Sequence, residues 1–227
     1  MHAVLQDVRG RFDSEGRFTP FVDEAGDGEA VIRWIEEQPW YDGRLVVAGF
    51  SYAGWAALAA ASQVPGRVAA RVVVGAGSDL HRTLRPGGAF SLAFGLRLGL
   101  GLSGRQSRPT ELERALRHRP LLEADRVALR ETPWVREWMT HPIADEVWPR
   151  IEQEGSSAPP TLFVAGLQDP FTPALLADYA RAGEGSRLWL GPWPHPRPPR
   201  FGRGGRAYHR TVLRAIVEFV DAVLSGE

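Results

Sequence analysis

The apolar run Leu45-Val46-Val47-Ala48 passes directly into Gly49-Phe50-Ser51-Tyr52-Ala53-Gly54, and this junction restricts the chain more than any other stretch. An apolar, β-branched run with no polar alternation reads as a strand buried on both faces of a parallel sheet. The alanine-rich segment from Trp55 to Ser62 reads as the helix that follows. Between them a glycine-bracketed serine occupies the apex of a sharp strand-to-helix turn. That is the setting of a nucleophile elbow, in which the hydroxyl is lifted clear of the sheet and small neighbours let the backbone bend. The helix N-terminus behind it adds partial positive charge where an oxyanion would form. The strict spacing G-x-S-x-G asks for glycine at 53, where the chain has Ala53 and then Gly54. The plainer alternative is a glycine-rich turn with an incidental serine.

The far end of the chain supplies what such a serine needs. Thr161-Leu162-Phe163-Val164-Ala165-Gly166 is a second buried-strand run, ending in Leu167-Gln168-Asp169-Pro170. Thr172-Pro173 then opens a helix with a cap residue and a proline at its first position. Leu188-Trp189-Leu190 is another strand-like run, and it ends in Gly191-Pro192-Trp193-Pro194-His195. An acid and a histidine thus each stand just past the carboxyl end of a predicted strand, where parallel sheets place their active sites. The chain order Ser51, Asp169, His195 is that of α/β-hydrolases. Taken singly, Asp169 reads as a turn residue and His195 as a loop histidine; it is the order and context of all three that point to a triad.

The remaining elements predict an α/β fold with a doubly wound, mostly parallel sheet. Glu29 to Gln38 reads as a helix with Val31, Trp34 and Ile35 on one face and Glu29, Arg33, Glu36 and Glu37 on the other. Pro39 ends it, and Pro65-Gly66 stops the helix from about Gly54 to Gln63. Arg71 to Gly75 reads as a strand, and Tyr208 to Leu224 as a closing helix with Val212, Ile216, Phe219, Val220 and Val223 at helical spacing. The expectation is one domain, residues 1–227, with a helical cap inserted at about 80–157, where the alternation lapses and α/β-hydrolases carry such a cap. Within it the apolar, glycine-rich run Gly88 to Leu102 reads as a lid lining a pocket or as the floor of the cap. Asp145 and Glu146 read as a solvated helix start.

Composition excludes several function classes. The charges balance at 27 basic and 27 acidic residues, so nothing electrostatic points to nucleic acid or an anionic membrane. Every basic residue is arginine, scattered rather than clustered, which reads as codon bias. With no cysteine, thiolate catalysis, disulfides and thiolate metal sites are absent. His81, His118, His141 and His209 lack metal-ligand spacing, so neither metal nor cofactor is expected. The run from Phe90 to Leu102 is too short and interrupted to span a membrane. No basic-then-apolar leader is visible, so a cytoplasmic protein is expected.

The motifs resemble those of the cocaine esterase / X-Pro dipeptidyl-peptidase family of serine hydrolases over about residues 2 to 224, least between 80 and 130. Gln6-Asp7-Val8-Arg9-Gly10-Arg11 and Ser14-Glu15-Gly16 resemble its strand and loop ahead of the elbow. Asp27-Gly28, Trp34 and Gln38-Pro39-Trp40 resemble the next helix, and Gly49-x-Ser51-Tyr52-x-Gly54 the elbow with its displaced glycine. Trp138, His141-Pro142 and Trp148 resemble the cap segment, Gly166 and Asp169 the acid turn, and Gly191-Pro192-Trp193-x-His195 the histidine turn. The resemblance implies hydrolysis of a small ester or amide: Ser51 attacks, His195 moves the proton, Asp169 orients the imidazole, and the Tyr52 backbone N–H faces the oxyanion. Aminopeptidase action of the X-Pro type and a catalytically weak relic of the fold remain as alternatives. In the family, further strands and a loop with an oxyanion-binding tyrosine precede the point where this sequence begins. One of those strands would lie between the Gln6–Arg9 strand and the elbow strand. These two are therefore expected either two strand spacings apart or paired in a shifted register, with an incomplete oxyanion hole, reduced stability and a tendency to self-associate through open edges.

Overall fold

Val46–Phe50 (β1), Ala70–Val74 (β2), Thr161–Gln168 (β3) and Arg187–Pro194 (β4) form one sheet in which every neighbouring pair is parallel and spatial order follows chain order. The computed structural model describes residues 2–104, 108–127, 131–149, 151, 158–195 and 203–226, with 203–209 described by backbone alone. Helix α1 (Glu24–Glu36) precedes the sheet and α2 (Tyr52–Ser62) joins β1 to β2. Between β2 and β3 come α3 (Leu80–Leu84), α4 (Leu92–Leu102), α5 (Pro109–Arg117), α6 (Ala124–Val127) and α7 (Pro133–Thr140). Helix α8 (Thr172–Tyr179) joins β3 to β4, and α9 (Arg203–Ser225) follows β4. By internal contacts the chain divides into two units, Met1–Ser78 with Ile151–Glu227, and Asp79–Arg150.

In the first unit the period-two alternation of the strands sends apolar side chains to both faces. Ala70, Val72, Val74, Leu162 and Val164 pack with Val212 and Phe219 of α9, and Val46 joins them. Val47, on the opposite face of β1, packs with Leu45 against Ile32 of α1, Ala60 and Ala61 of α2, Val64 and Val68. Covering both faces explains why the strand sequences are continuously apolar; each fully buried Val, Leu or Phe contributes about 1.5–3 kcal/mol. The alanines of α2 permit close approach of α1: a Cβ on Gly28 would collide with Ala60.

Three expectations need correction here. The helix read from Glu29 begins earlier, at Glu24, with Glu24 and Asp27 in its first turn, where acids favour the positive end of the helix dipole. Its inward stripe is Gly28, Ile32 and Ile35, set by the contact with Ala60, so Trp34 is half exposed and lies edge-on to Trp40. The strand expected at Gln6–Arg9 does not form. Its backbone has no ladder partner among the described residues, and turn bonds take over: Arg11 N–H donates to Val8 O (3.1 Å) and Gly10 N–H to Glu15 O (2.9 Å). Arg9 is tied instead to Asp27 by an ion pair. The sheet of the described residues accordingly has neither a gap in its middle nor a shifted pairing with this segment. Among the described residues β1 is an edge strand.

The second unit has a core of its own. Leu96 and Leu100 of α4 are buried, with Gly99 against Val135 of α7, so the apolar run is used for internal packing. Asp125 is buried and accepts from Thr132 N–H (2.7 Å) and from Arg136 Nη2 (2.8 Å). The Arg85 guanidinium donates to the carbonyls of Trp138 (3.1 Å) and Met139 (2.9 Å). Asp145 and Glu146 start no helix; they lie in an exposed turn, where Asp145 accepts from Val147 N–H (3.2 Å). The expected end of the cap, at 157, lies outside the described residues.

Candidate active site

Ser51, Asp169 and His195 follow β1, β3 and β4, so parallel pairing carries all three to the carboxyl end of the sheet. Phe50 is paired with Val74, Val74 with Val164, and Gln168 with Pro194. Ser51 N–H donates to Val74 O (2.8 Å), and Ser51 O accepts from Trp55 N–H (3.1 Å), the first bond of α2. The serine is thus pinned as strand becomes helix. Its backbone sits at φ 55°, ψ −122°, a left-handed region that side chains avoid and that costs about 1–3 kcal/mol.

The glycine pattern follows from this bend. A Cβ on Gly49 would run into the Ala53 carbonyl, and one on Gly54 would lie 3.0 Å from the Ala76 Cβ and from Gly49 O. Position 53 is exposed, and Ala53 costs nothing there. The geometry therefore requires glycine at 49 and favours it at 54, and the departure from the strict spacing has a steric reason.

His195 bridges the other two side chains. Its Nδ1 lies 2.9 Å from Asp169 Oδ2 and its Nε2 lies 2.9 Å from Ser51 Oγ. A carboxylate can only accept, so Nδ1 carries the proton and Nε2 presents its lone pair to the serine hydroxyl. Asp169 is buried, and its second oxygen accepts from Phe171 N–H (2.9 Å), which fixes the carboxylate plane. The turn is held further by Asp169 N–H to Gly166 O (3.0 Å) and Thr172 Oγ1 to Gly166 O (2.6 Å). Phe50 stacks on the imidazole at 5.5 Å between centroids, and Phe171 packs against it at 5.2 Å. These two phenylalanines were not legible as site residues, because each reads simply as an apolar residue at a strand end or turn.

Tyr52 stands at the first position of α2, where backbone N–H groups have no acceptor within the helix. Its phenol donates to Glu24 Oε1 and accepts from Phe21 N–H (3.3 Å). Glu24 is buried, and its Oε2 has no partner among the described residues. Burial pushes its carboxyl up to about 7, with Asp23 and Asp27 adding to the rise and the backbone N–H groups of Glu24 and Phe21 opposing it. Because the folded-state value lies above the ordinary 4.5, stability due to the neutral form is complete below about 4.5 and is lost as the pH rises through about 7. Glu24→Gln should remove that loss. Thermal melts of the two proteins should agree in acid and separate towards pH 8 in favour of the variant, by on the order of 2–3 kcal/mol. Parallel melting curves across this range would contradict the assignment.

Among the described residues no group of three His, Cys, Asp or Glu side chains is placed to hold a metal ion, and no helix is long and apolar enough to cross a membrane.

Comparison with known proteins places this geometry in context. The family model for X-Pro dipeptidyl-peptidase (S15 family) matches residues 1–197. Cocaine esterase from Rhodococcus sp. (strain MB1 Bresler) is 35% identical over 219 residues, an alignment covering 85% of this chain and 38% of that protein. The chain therefore spans well under half the length of that relative. Among solved structures, a CocE/NonD family hydrolase from Staphylococcus aureus superposes with a TM-score of 0.70 at 21% identity, covering 96% of this chain and 36% of the other. An aminopeptidase from a marine sediment Thaumarchaeota archaeon gives 0.63 at 21% identity, covering 97% and 43%. An esterase from Pyrococcus furiosus gives 0.54 at 17%, covering 92% and 66%. The fold shared with these structures is the α/β-hydrolase fold.

Proposed function

The chain belongs to the X-Pro dipeptidyl-peptidase (S15) family of hydrolases, and from that premise we propose that it is a serine hydrolase of small acyl esters. The observation that carries the reading is the unbroken hydrogen-bond relay Asp169–His195–Ser51, with both links at 2.9 Å. His195 Nε2 takes the Ser51 proton as Oγ attacks the carbonyl carbon, and the imidazolium that forms is stabilised by Asp169. The tetrahedral oxyanion is met by the Tyr52 backbone N–H at the N-terminus of α2. Collapse expels the alcohol, protonated by His195, and leaves an acyl group on Ser51. Water deprotonated by His195 then releases the acid and restores the hydroxyl. Esters are placed ahead of X-Pro amides because the 35%-identical relative is named an esterase.

A fluorophosphonate probe tests the reading, since it phosphonylates only an activated serine. The expected result is a single adduct on the peptide containing Ser51, together with burst kinetics on a nitrophenyl ester. A chain that is folded but unlabelled would be a non-catalytic relic of the fold. Faster cleavage of an X-Pro-anilide than of nitrophenyl esters would move the activity to the peptidase side.

A further inference from the structure

We propose that Glu24 is a positioning residue for the oxyanion site: its carboxyl, bonded to the Tyr52 phenol, clamps the residue that supplies the oxyanion N–H and loosens it on protonation. This rests on the reading of Ser51 as nucleophile and of the Tyr52 N–H as oxyanion donor. Tyr52 is covalently attached to Ser51, so anything that holds its far end limits rotation of the first turn of α2. The far end is held twice. The phenol oxygen donates to Glu24 Oε1 and accepts from Phe21 N–H (3.3 Å). Its ring packs with Phe18 (centroids 5.9 Å apart) and with Phe21 (4.9 Å), and Phe21 packs edge-on at 5.0 Å against Trp55, one turn further along α2. Phe21 itself adopts φ 66°, a strained backbone for a bulky residue, in the same peptide that delivers its N–H to Tyr52.

The choice of an acid here is informative. A neutral acceptor would also take the Tyr52 hydroxyl, whereas the carboxylate is buried with one oxygen unpartnered among the described residues. Its gain therefore lies outside stability. A hydrogen bond from a hydroxyl to an ionised carboxylate is about twice as strong as the neutral one, so the ionised form grips the phenol more tightly. The charged groups around it do not neutralise it. Asp23 and Asp27 share its helix, and Tyr52 faces it from α2. Arg9, from the N-terminal segment, is bonded to Asp27 and 4.0 Å from Asp23, while Arg11 lies over the Phe18 ring. Burial sets the carboxyl to titrate near neutrality, where the grip becomes pH-dependent. Since the N–H matters mainly in the transition state, loosening should lower kcat and leave KM alone.

The test has an arm that does not need turnover. In a His195→Asn background, which removes the neighbouring imidazole from the site, the Tyr52 amide nitrogen resonance is followed by NMR from pH 5.5 to 9. It should inflect near 7, and the inflection should vanish in Glu24→Gln. Tyr52→Phe, which removes the donor and leaves the carboxyl, should also abolish it and serves if Glu24→Gln does not fold. In otherwise native protein each substitution should lower kcat for a nitrophenyl ester at pH 8 about tenfold, short of the hundredfold or more of losing a donor outright. The double substitution should cost no more than either alone, and KM should stay within twofold. A pH-independent Tyr52 amide, or an inflection that survives Glu24→Gln, overturns the clamp. So do single variants that keep full kcat. An amide that follows Glu24 in a chain that neither labels with fluorophosphonate nor hydrolyses esters would uphold the clamp and sink the hydrolase reading.

Discussion

Ser51→Ala should lower kcat for ester hydrolysis by at least about four orders of magnitude and abolish fluorophosphonate labelling, while the thermal melt stays within a few degrees of the native protein. The change removes one oxygen that is bonded to His195 Nε2 and leaves the turn bonds of residue 51, which are made by its backbone. Ser51→Gly separates chemistry from strain. It is equally inactive, but glycine accepts φ 55° without a Cβ penalty, so the variant should melt higher, by roughly 1 kcal/mol in stability. A strained residue whose relief stabilises the fold is what a functional site imposes. If Ser51→Ala kept native turnover the nucleophile would lie elsewhere, and if Ser51→Gly melted lower the strain assignment would fail.

Asp169→Asn should reduce kcat about 10⁴-fold with KM changed only a few-fold. The side-chain oxygen that accepts from Phe171 N–H is retained, so the turn after β3 survives. What changes is the group offered to His195. An amide NH₂ toward Nδ1 forces that nitrogen to accept, which moves the proton to Nε2 and turns a donor toward Ser51 Oγ. The hydroxyl then has no base, and labelling by fluorophosphonate should slow in step with kcat. Folding should be nearly unaffected, as read by thermal melt. A variant that hydrolysed esters at the native rate would show that the Asp169 contact is structural only.

Much of the site was legible in the sequence because its parts are local. Glycine-bracketed Ser51 between an apolar run and an alanine-rich helix, Asp169 past a second run and His195 past a third are each written within about ten residues. Parallel strand pairing then leaves the carboxyl end of the sheet as the place where the three can gather. The displaced glycine was visible too, although only the turn itself explains it: Gly54 faces Ala76, twenty-two residues away, and position 53 faces solvent.

What tertiary structure alone decided are the matters that depend on a partner distant in the chain. Gln6–Arg9 has a strand-like sequence, yet a strand exists only where a neighbour completes its ladder, and none is present among the described residues. The buried face of α1 was fixed by where Gly28 meets Ala60, and so Trp34, apolar and correctly spaced, was left facing water. Asp23, Glu24 and Asp27 are three acids within five residues, and nothing in the sequence sets one apart from the others. Only the fold buries Glu24 against the tyrosine beside Ser51, and desolvation, which no spacing rule encodes, then gives that one carboxyl a titration near neutrality.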